Sequence, residues 1–489
     1  MLHEWITLSS SDTPSILASY GCAAGTILLI IGYIIYQCQF APLANFPGPL
    51  MFKLSRSWYA YRAATGLWHR ELMALHAKYG AAVRIAPNEM HVFNFHCAAQ
   101  STKFIKAPAY TVIKGHRTFD LSTEADVNVH GKQRKLVSKI YTMGSIRRLQ
   151  PAVDEVIEIL MDKLKEYEGQ VTDLGYWVQA FAFGTTGPPN VVGAVSFSRI
   201  FGFVQTGTDN GELARLKDSI TSIGWVQHVP WVLRLHNALE PIIGNRLAIN
   251  DRLGHFYDMS HDEVESWKAR DRSERDMVRE LVQVQKHSPE EMNDRNLKYM
   301  MSTNIFAGSD TTSTSIRGTM LLLLRNPDKL DRLLKELEEK KADGQLSDPV
   351  TFEEAEDCQY LQAVLWEGVR LYPAIGSPLA RVVPPEGMMI DDKFVPGGNI
   401  VGSSGYIINR LVDVWGEDAN EFRPERWIEA DEEQLTLMNL SWLEMSKLIP
   451  TMLLRYKLTL VDSENIHEKY GFLVFIMGLK VRVEQRDSR

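Results

Sequence analysis

Apolar residues recur at helical spacing through most of this chain, and the pattern breaks at a few sharply bounded places. Residues 16–36 carry no charge and are long enough to cross a bilayer as a helix. No Lys or Arg precedes that run, which disfavours a cleaved signal peptide. Glu4 and Asp12 lie before it, and Lys53, Arg56, Arg62 and Arg70 after it, so the charge bias places the bulk of the chain on the cytosolic side. Pro42, Pro47, Gly48 and Pro49 follow and predict a stiff, non-helical hinge over 37–52. Further on, the spacing predicts a helix over 68–79 stopped by Gly80, and a strand over 82–86 turned by Pro87 and Asn88. It also predicts a helix over 153–167 and a charged, exposed helix over 262–285. Residues from about 147 to 340 read as mostly helical. After Val382 short strands dominate: one over 388–390 closed by Asp391 and Asp392, then a terminal hairpin from 473–475 and 479–483. These elements define an α+β fold, predominantly helical.

Two places break the pattern. Ser309, Asp310, Thr311, Thr312, Ser313 and Thr314 are poor helix formers, and Gly308 before them is worse. Read locally they form a Ser/Thr-rich loop. Yet no proline interrupts them, and the apolar flanks 296–305 and 316–324 suit one long buried helix. In a helix, Gly308 thins the wall so that something flat can approach, and an acid beside a hydroxyl can move protons there. Segments 177–183 and 191–197 read as halves of one buried helix. Between them lie Gly184, Gly187, Pro188 and Pro189; at ~3 kcal/mol per proline and ~1 per glycine, they must bulge out rather than stay helical.

Composition narrows the class. The chain has 489 residues, 45% hydrophobic and 23% charged, which is ample for a globular core. A net charge of −8 without a basic stripe argues against nucleic acid as a partner. The four cysteines, Cys22, Cys38, Cys97 and Cys358, are scattered. That suits a reducing compartment and offers neither a zinc site nor a disulfide framework.

Three motifs carry the candidate chemistry. Glu367 and Arg370 share one face of a helix over 360–371. The apolar neighbours Leu361, Val364, Leu365 and Val369 imply a partly buried pair in need of a third partner, for which Arg426 in Pro424-Glu425-Arg426-Trp427 is the candidate. His130 precedes Arg134 by one helical turn. Together with Ala307, Gly308, Asp310, Thr311 and Thr312, and in this order, these motifs resemble the cytochrome P-450 superfamily over about the whole chain. The phrasing of the chain resembles that of fungal microsomal enzymes of the pisatin demethylase type. The resemblance implies a haem cofactor, with Ala307 and Gly308 lining its face and Asp310 and Thr311 supplying protons during oxygen activation. It implies that Arg134 and Arg381 pair with the haem propionates, with His130 as a hydrogen-bond donor. Glu367, Arg370 and Arg426 are implied as structural. It further implies O2, an NADPH-dependent flavoprotein reductase and a hydrophobic small-molecule substrate, which the segments 107–127 and 203–256 would recognise. The expected layout is a luminal 1–15, an anchor at 16–36, the hinge at 37–52 and a catalytic domain over 53–489, in the endoplasmic reticulum membrane with that domain cytosolic.

One part of the pattern is missing. The family places a cysteine thiolate on the haem iron, in a glycine-rich loop between the Pro-Glu-Arg-Trp motif and a long helix. Here Trp427 runs through an acidic stretch to Met438, and Asn439 then begins what reads as that helix, with Trp442, Met445, Ile449 and Met452 at helical spacing. No cysteine follows Cys358, so no axial metal ligand of the family's kind is present, and nothing around His467 or Met438 marks a substitute. The expectation is a deletion at 438/439 and an insertion near 184–190. Misread intron boundaries and pseudogene decay both explain such sharp edges. The chain as it stands is expected to be inactive, with a catalytically dead binding protein or mis-spliced product as the alternative.

Overall fold

The computed structural model describes residues 13–93, 103–115, 117–182, 191–197, 211–247, 249, 255–269, 276–390, 392–429 and 439–486. The insertion at 184–190, Cys97, Asp391 and Met438 lie outside them.

The Ser/Thr-rich stretch is helical. Asp294–Arg325 is one 32-residue helix, started by Asn293, whose side chain accepts from the Asn296 backbone N–H. Burial overrides propensity here: Thr312, Ser313, Thr314, Ser315 and Thr319 are all inside. Several of the hydroxyls find acceptors within the helix itself, as Thr303 does on the Tyr299 carbonyl at 2.9 Å and Thr319 on the Ser315 carbonyl at 2.9 Å. Against this helix pack Leu174–Ala182, Val191–Phe197, Gln359–Leu371 and Asn439–Arg455, sharing one large apolar core that includes Phe181, Phe197, Leu365 and Leu448.

Among the described residues there are four small sheets. In the largest, Ala82–Ala86, Glu89–Val92, Ile400–Gly402 and Arg381–Val382 lie side by side, and only the Glu89–Val92 and Ile400–Gly402 pair is parallel. The expected terminal hairpin is not formed. Val474–Met477 pairs instead with His467–Tyr470, while Lys480–Gln485 pairs with Tyr456–Val461 and Val171–Asp173. Gly478, at φ 79, swings the chain from one sheet to the other, and a Cβ there would sit 2.9 Å from the Asn465 carbonyl oxygen.

Two further expectations are corrected. The helix expected over 262–285 is two, His255–Ala269 and Met277–His287, because Asp276 caps the second by accepting from the Arg279 N–H. Neither is fully exposed: Val264, Trp267, Leu281 and Val282 are buried. At the N-terminus, the helix Thr13–Ile35 runs on through a wider turn to Phe40, and residues 20–40 are long and apolar enough to cross a membrane. The expected hinge therefore starts late, and it contains a short helix, Leu50–Leu54. Below it, Arg84 in the first strand is fully buried, donating to the Gln37 carbonyl at 2.8 Å and to Gln37 Oε1 at 2.5 Å.

Candidate active site

Midway along the 32-residue helix the burial breaks. Ala307 is exposed and Gly308 and Thr311 half-buried, although Ile305 and Asp310 beside them are inside. The helix thus presents one open face lined by its smallest side chains. Thr311 Oγ1 donates to the Ala307 carbonyl at 2.6 Å, which occupies the carbonyl on that face.

Asp310 turns toward the Leu174–Ala182 helix. Its Oδ1 accepts from Gln179 Nε2 at 2.8 Å, and Gln179 Oε1 accepts from Arg317 Nη2 at 2.7 Å. Arg317 also donates through Nε to the Gly175 carbonyl at 2.9 Å. The guanidinium therefore sets which way the Gln179 amide faces, and the amide offers Asp310 a donor. Burial lowers the Arg317 pKa, and the charges of Asp310 and Asp173 oppose that. Behind this chain lies a cavity of about 270 Å³, lined among others by Asp173, Tyr176, Lys217 and Met477. Sequence reasoning missed Gln179 and Arg317: neither belongs to a motif, and their roles arise from two helices far apart in sequence.

A basic cluster gathers around Lys106. Arg117 Nη1 reaches Thr303 Oγ1 at 3.4 Å, and Thr118 Oγ1 donates to Asn296 Oδ1 at 2.8 Å, which seats residues 117–121 on the long helix. Lys106 Nζ donates to the Leu121 carbonyl at 3.0 Å, and Lys106 bridges to Arg381 through the backbone. Burial, and then the Arg381 charge, push the Lys106 ammonium down to about 8. Burial, and then the Lys106 and Arg134 charges, hold His130 below its ordinary value. Arg381 donates to Tyr110 Oη at 3.2 Å, and Arg134 is exposed. The nearest acids are already taken: Asp120 pairs with Arg117 at 2.7 Å and Glu124 with Lys114 at 2.5 Å. Among the described residues, Lys106, Arg134 and Arg381 have no carboxylate partner. Lys106 carried no sequence signal beyond being a charge in an apolar segment.

Glu367 and Arg370 are brought together as a buried, two-pronged pair at 2.7 and 2.8 Å. Arg426 Nε adds 3.0 Å to Glu367 Oε1, and Trp427 Nε1 adds 2.9 Å to Oε2. Arg370 in turn donates to the carbonyls of Asn409, Ala419 and Glu421. A carboxylate with this many donors is a rivet between the Gln359–Leu371 helix and the loop after it.

The residues fit one end of a porphyrin and not the other. An unpaired cationic cluster beside a glycine-thinned helix face suits two propionates and a flat ring. For the iron, Cys358 is fully buried away from any opening, its thiol directed at the Glu354 carbonyl at 3.4 Å and pushed up to about 12 by burial and then Glu336. Cys22 and Cys38 belong to the N-terminal helix and the turn that extends it. His467 is exposed, with Nδ1 at 3.0 Å from the Asn465 carbonyl. The helix Asn439–Arg455 lies directly on the long helix, with Thr312 Oγ1 and Ser441 Oγ 2.9 Å apart.

Comparison with known proteins places the chain among the monooxygenases of the oxidoreductase class. The chain belongs to the cytochrome P-450 family, whose model matches residues 46–437 and ends just before the helix that begins at Asn439. It is similar to the cytochrome P-450 monooxygenase hepC of Aspergillus oryzae, 45% identical over 415 residues, covering 82% of this chain and 81% of that one. It is also similar to pisatin demethylase of Fusarium vanettenii, 30% identical over 450 residues (86% and 84%). A third relative is the cytochrome P-450 monooxygenase cicH of Emericella nidulans, 29% identical over 490 residues (91% and 94%). The family implies haem, O2, a redox partner and a small-molecule substrate.

Proposed function

We propose that this chain descends from a membrane-anchored monooxygenase that hydroxylates or O-demethylates a hydrophobic small molecule in fungal secondary metabolism or detoxification. We further propose that the chain as it stands lacks that activity. Haem, when bound, would supply the oxygen activation, and its electrons would come from an NADPH-dependent flavoprotein reductase. Asp310 and Thr311 would carry protons at this helix face, with Asp310 oriented by the hydrogen bond it accepts from the Gln179 amide. Arg134 and Arg381, with His130, would hold the propionates, and Ala307 and Gly308 would give the ring its clearance. Glu367, Arg370 and Arg426 would keep the underlying helix and loop in place. Residues 1–15 would be luminal and 16–36 the anchor of a cytosolic domain at the endoplasmic reticulum, with the proline-rich hinge after Phe40. The insertion near 184–190 and the deletion at 438/439 belong to the same reading.

The observation that carries inactivity is that no cysteine follows Cys358. The same observation favours a second reading, a catalytically dead binding protein or a mis-spliced product. A reduced carbon-monoxide difference spectrum of the purified chain tests the first reading. No thiolate-type band is expected, and such a band would overturn the claim of inactivity. Sequencing the transcript across Met438 and Asn439 separates mis-splicing from decay: extra codons there support the former, and a continuous message ends it.

A further inference from the structure

We propose that this chain holds a porphyrin by its carboxylates and its flat face alone, so that metal-free porphyrin and its iron complex bind equally well. The inference rests on the reading above for the identity of the flat ligand. It departs from that reading by removing the metal from recognition and by adding Lys106 to the cradle.

Charge is the first argument. Lys106, Arg134 and Arg381 carry positive charge close enough to depress the titration of Lys106 and His130; Asp120 and Glu124 offset part of it, but among the described residues none of the three cations has a carboxylate in salt-bridge contact. Asp120 is held by its ion pair with Arg117 and by Ser122, which donates its N–H at 2.9 Å and its hydroxyl at 2.6 Å to Oδ1. Glu124 holds Lys114 and accepts from the Asp126 N–H at 2.9 Å. Three cations without a salt-bridged carboxylate among the described residues, two of them half-buried, favour a ligand with more than one carboxylate.

Placement is the second. The cations are carried by the loop after residue 103, by the Val127–Val137 helix and by the Arg381–Val382 strand, three separate pieces of the chain. Lys106 donates to the Leu121 carbonyl of the 117–121 segment, which is seated on the long helix at Asn296 and Thr303, with Arg381 beside Lys106 and with Arg134 and Lys106 both near His130. A ring whose carboxylates met these cations would lie along the next turn, where Ala307 and Gly308 are open.

The metal end is the third. Cys358 is a buried thiol surrounded by Glu336, Glu354 and Asp357, which keep it protonated. No cysteine lies between residue 358 and the C-terminus. With no thiolate contributed, removing the iron removes no bond that the protein makes.

The test is a titration of the full chain in detergent with three probes: metal-free protoporphyrin IX, ferric haemin and the dimethyl ester of protoporphyrin, which keeps the ring and loses both charges. Haemin and the free acid are expected to bind within about threefold of one another, and the ester about tenfold or more weakly, the scale of a lost charge-assisted hydrogen bond. Lys106→Gln and Arg134→Gln should each weaken the free acid and leave the ester unchanged; circular dichroism checks that both variants fold. Cys97→Ser should leave haemin binding as it was. Haemin binding about tenfold or more tightly than the free acid, or weakening with Cys97→Ser, would overturn the inference. So would an ester that binds as well as the acid, or the absence of binding by all three probes. The outcomes stay distinguishable from those of the parent reading. A thiolate-type carbon-monoxide band with haemin preferred sinks this inference together with the claim of inactivity and leaves the monooxygenase ancestry standing. Haemin preferred without the band sinks this inference alone.

Discussion

His76 and His91 meet ring to ring, with Nε2 of the first 2.6 Å from Nδ1 of the second. His76 Nδ1 is 2.8 Å from the Gly80 carbonyl and must carry its proton there, so its Nε2 accepts from His91 Nδ1. His91 Nε2 is then a bare lone pair, and it is buried without a partner. Each ring holds one proton, and a second has nowhere to go. Burial accordingly lowers His76 to about 4 and holds His91 well below its usual value, with His76 adding to the effect. Since the unfolded imidazoles protonate near 6.5, the unfolded chain takes up protons first as pH falls, and stability is lost between about 6.5 and 4. The expected slope is about 1.4 kcal/mol per pH unit for each such imidazole, with buried His228, lowered to about 3, acting in the same direction. Urea unfolding from pH 7.5 to 4.5 measures it, and His76→Gln should flatten the profile. Glu468, held down to about 2, loses its contribution only below the ordinary carboxylate range, so the two windows are separate. None of this was legible in sequence, where His76 and His91 are two isolated histidines fifteen positions apart.

Between elements, the crossing of Asp294–Arg325 with Gln359–Leu371 depends on glycine. A Cβ at Gly368 would lie 2.1 Å from Thr319 Oγ1, and one at Gly318 would lie 2.4 Å from Tyr372 Cβ. In a free helix Gly368→Ala would stabilise by about 1 kcal/mol. Here the overpacking should reverse the sign, with a net loss of about 1–3 kcal/mol in chemical denaturation. Thr319→Ala in the same chain should recover part of it, and a stabilising Gly368→Ala would show that the helices part freely. Periodicity exposed both helices, including the 32-residue one that its Ser/Thr run argued against locally. It did not expose the partners of the last strands. Residues 473–475 and 479–483 look alike as apolar runs, and only pairing with segments as distant as Val171–Asp173 separates them.

At the scale of the whole molecule, the N-terminal helix is tied into the body rather than merely linked to it. Tyr33 Oη donates to the Leu54 carbonyl at 2.8 Å, and Gln37 takes two hydrogen bonds from the buried Arg84. Removing residues 1–36 should release the protein from membranes on carbonate extraction and leave the body's stability nearly intact. Removing 1–40 should also strand Arg84 and cost a further 1–3 kcal/mol or about that, read by urea unfolding. Equal stability of the two truncations would show that Arg84 finds water instead.

The amino-acid sequence by itself determined the apolar N-terminal span, the helical body, the ordered motifs and the absence of any cysteine between residue 358 and residue 489, because spacing and residue identity are local properties. Tertiary structure alone decided which charges go unanswered. Lys106, Arg134 and Arg381 become a cluster, and Arg317 comes to stand behind Asp310, only when chain segments far apart in sequence share one low-dielectric space. Charge compensation is a property of that space, and no window along the chain contains it.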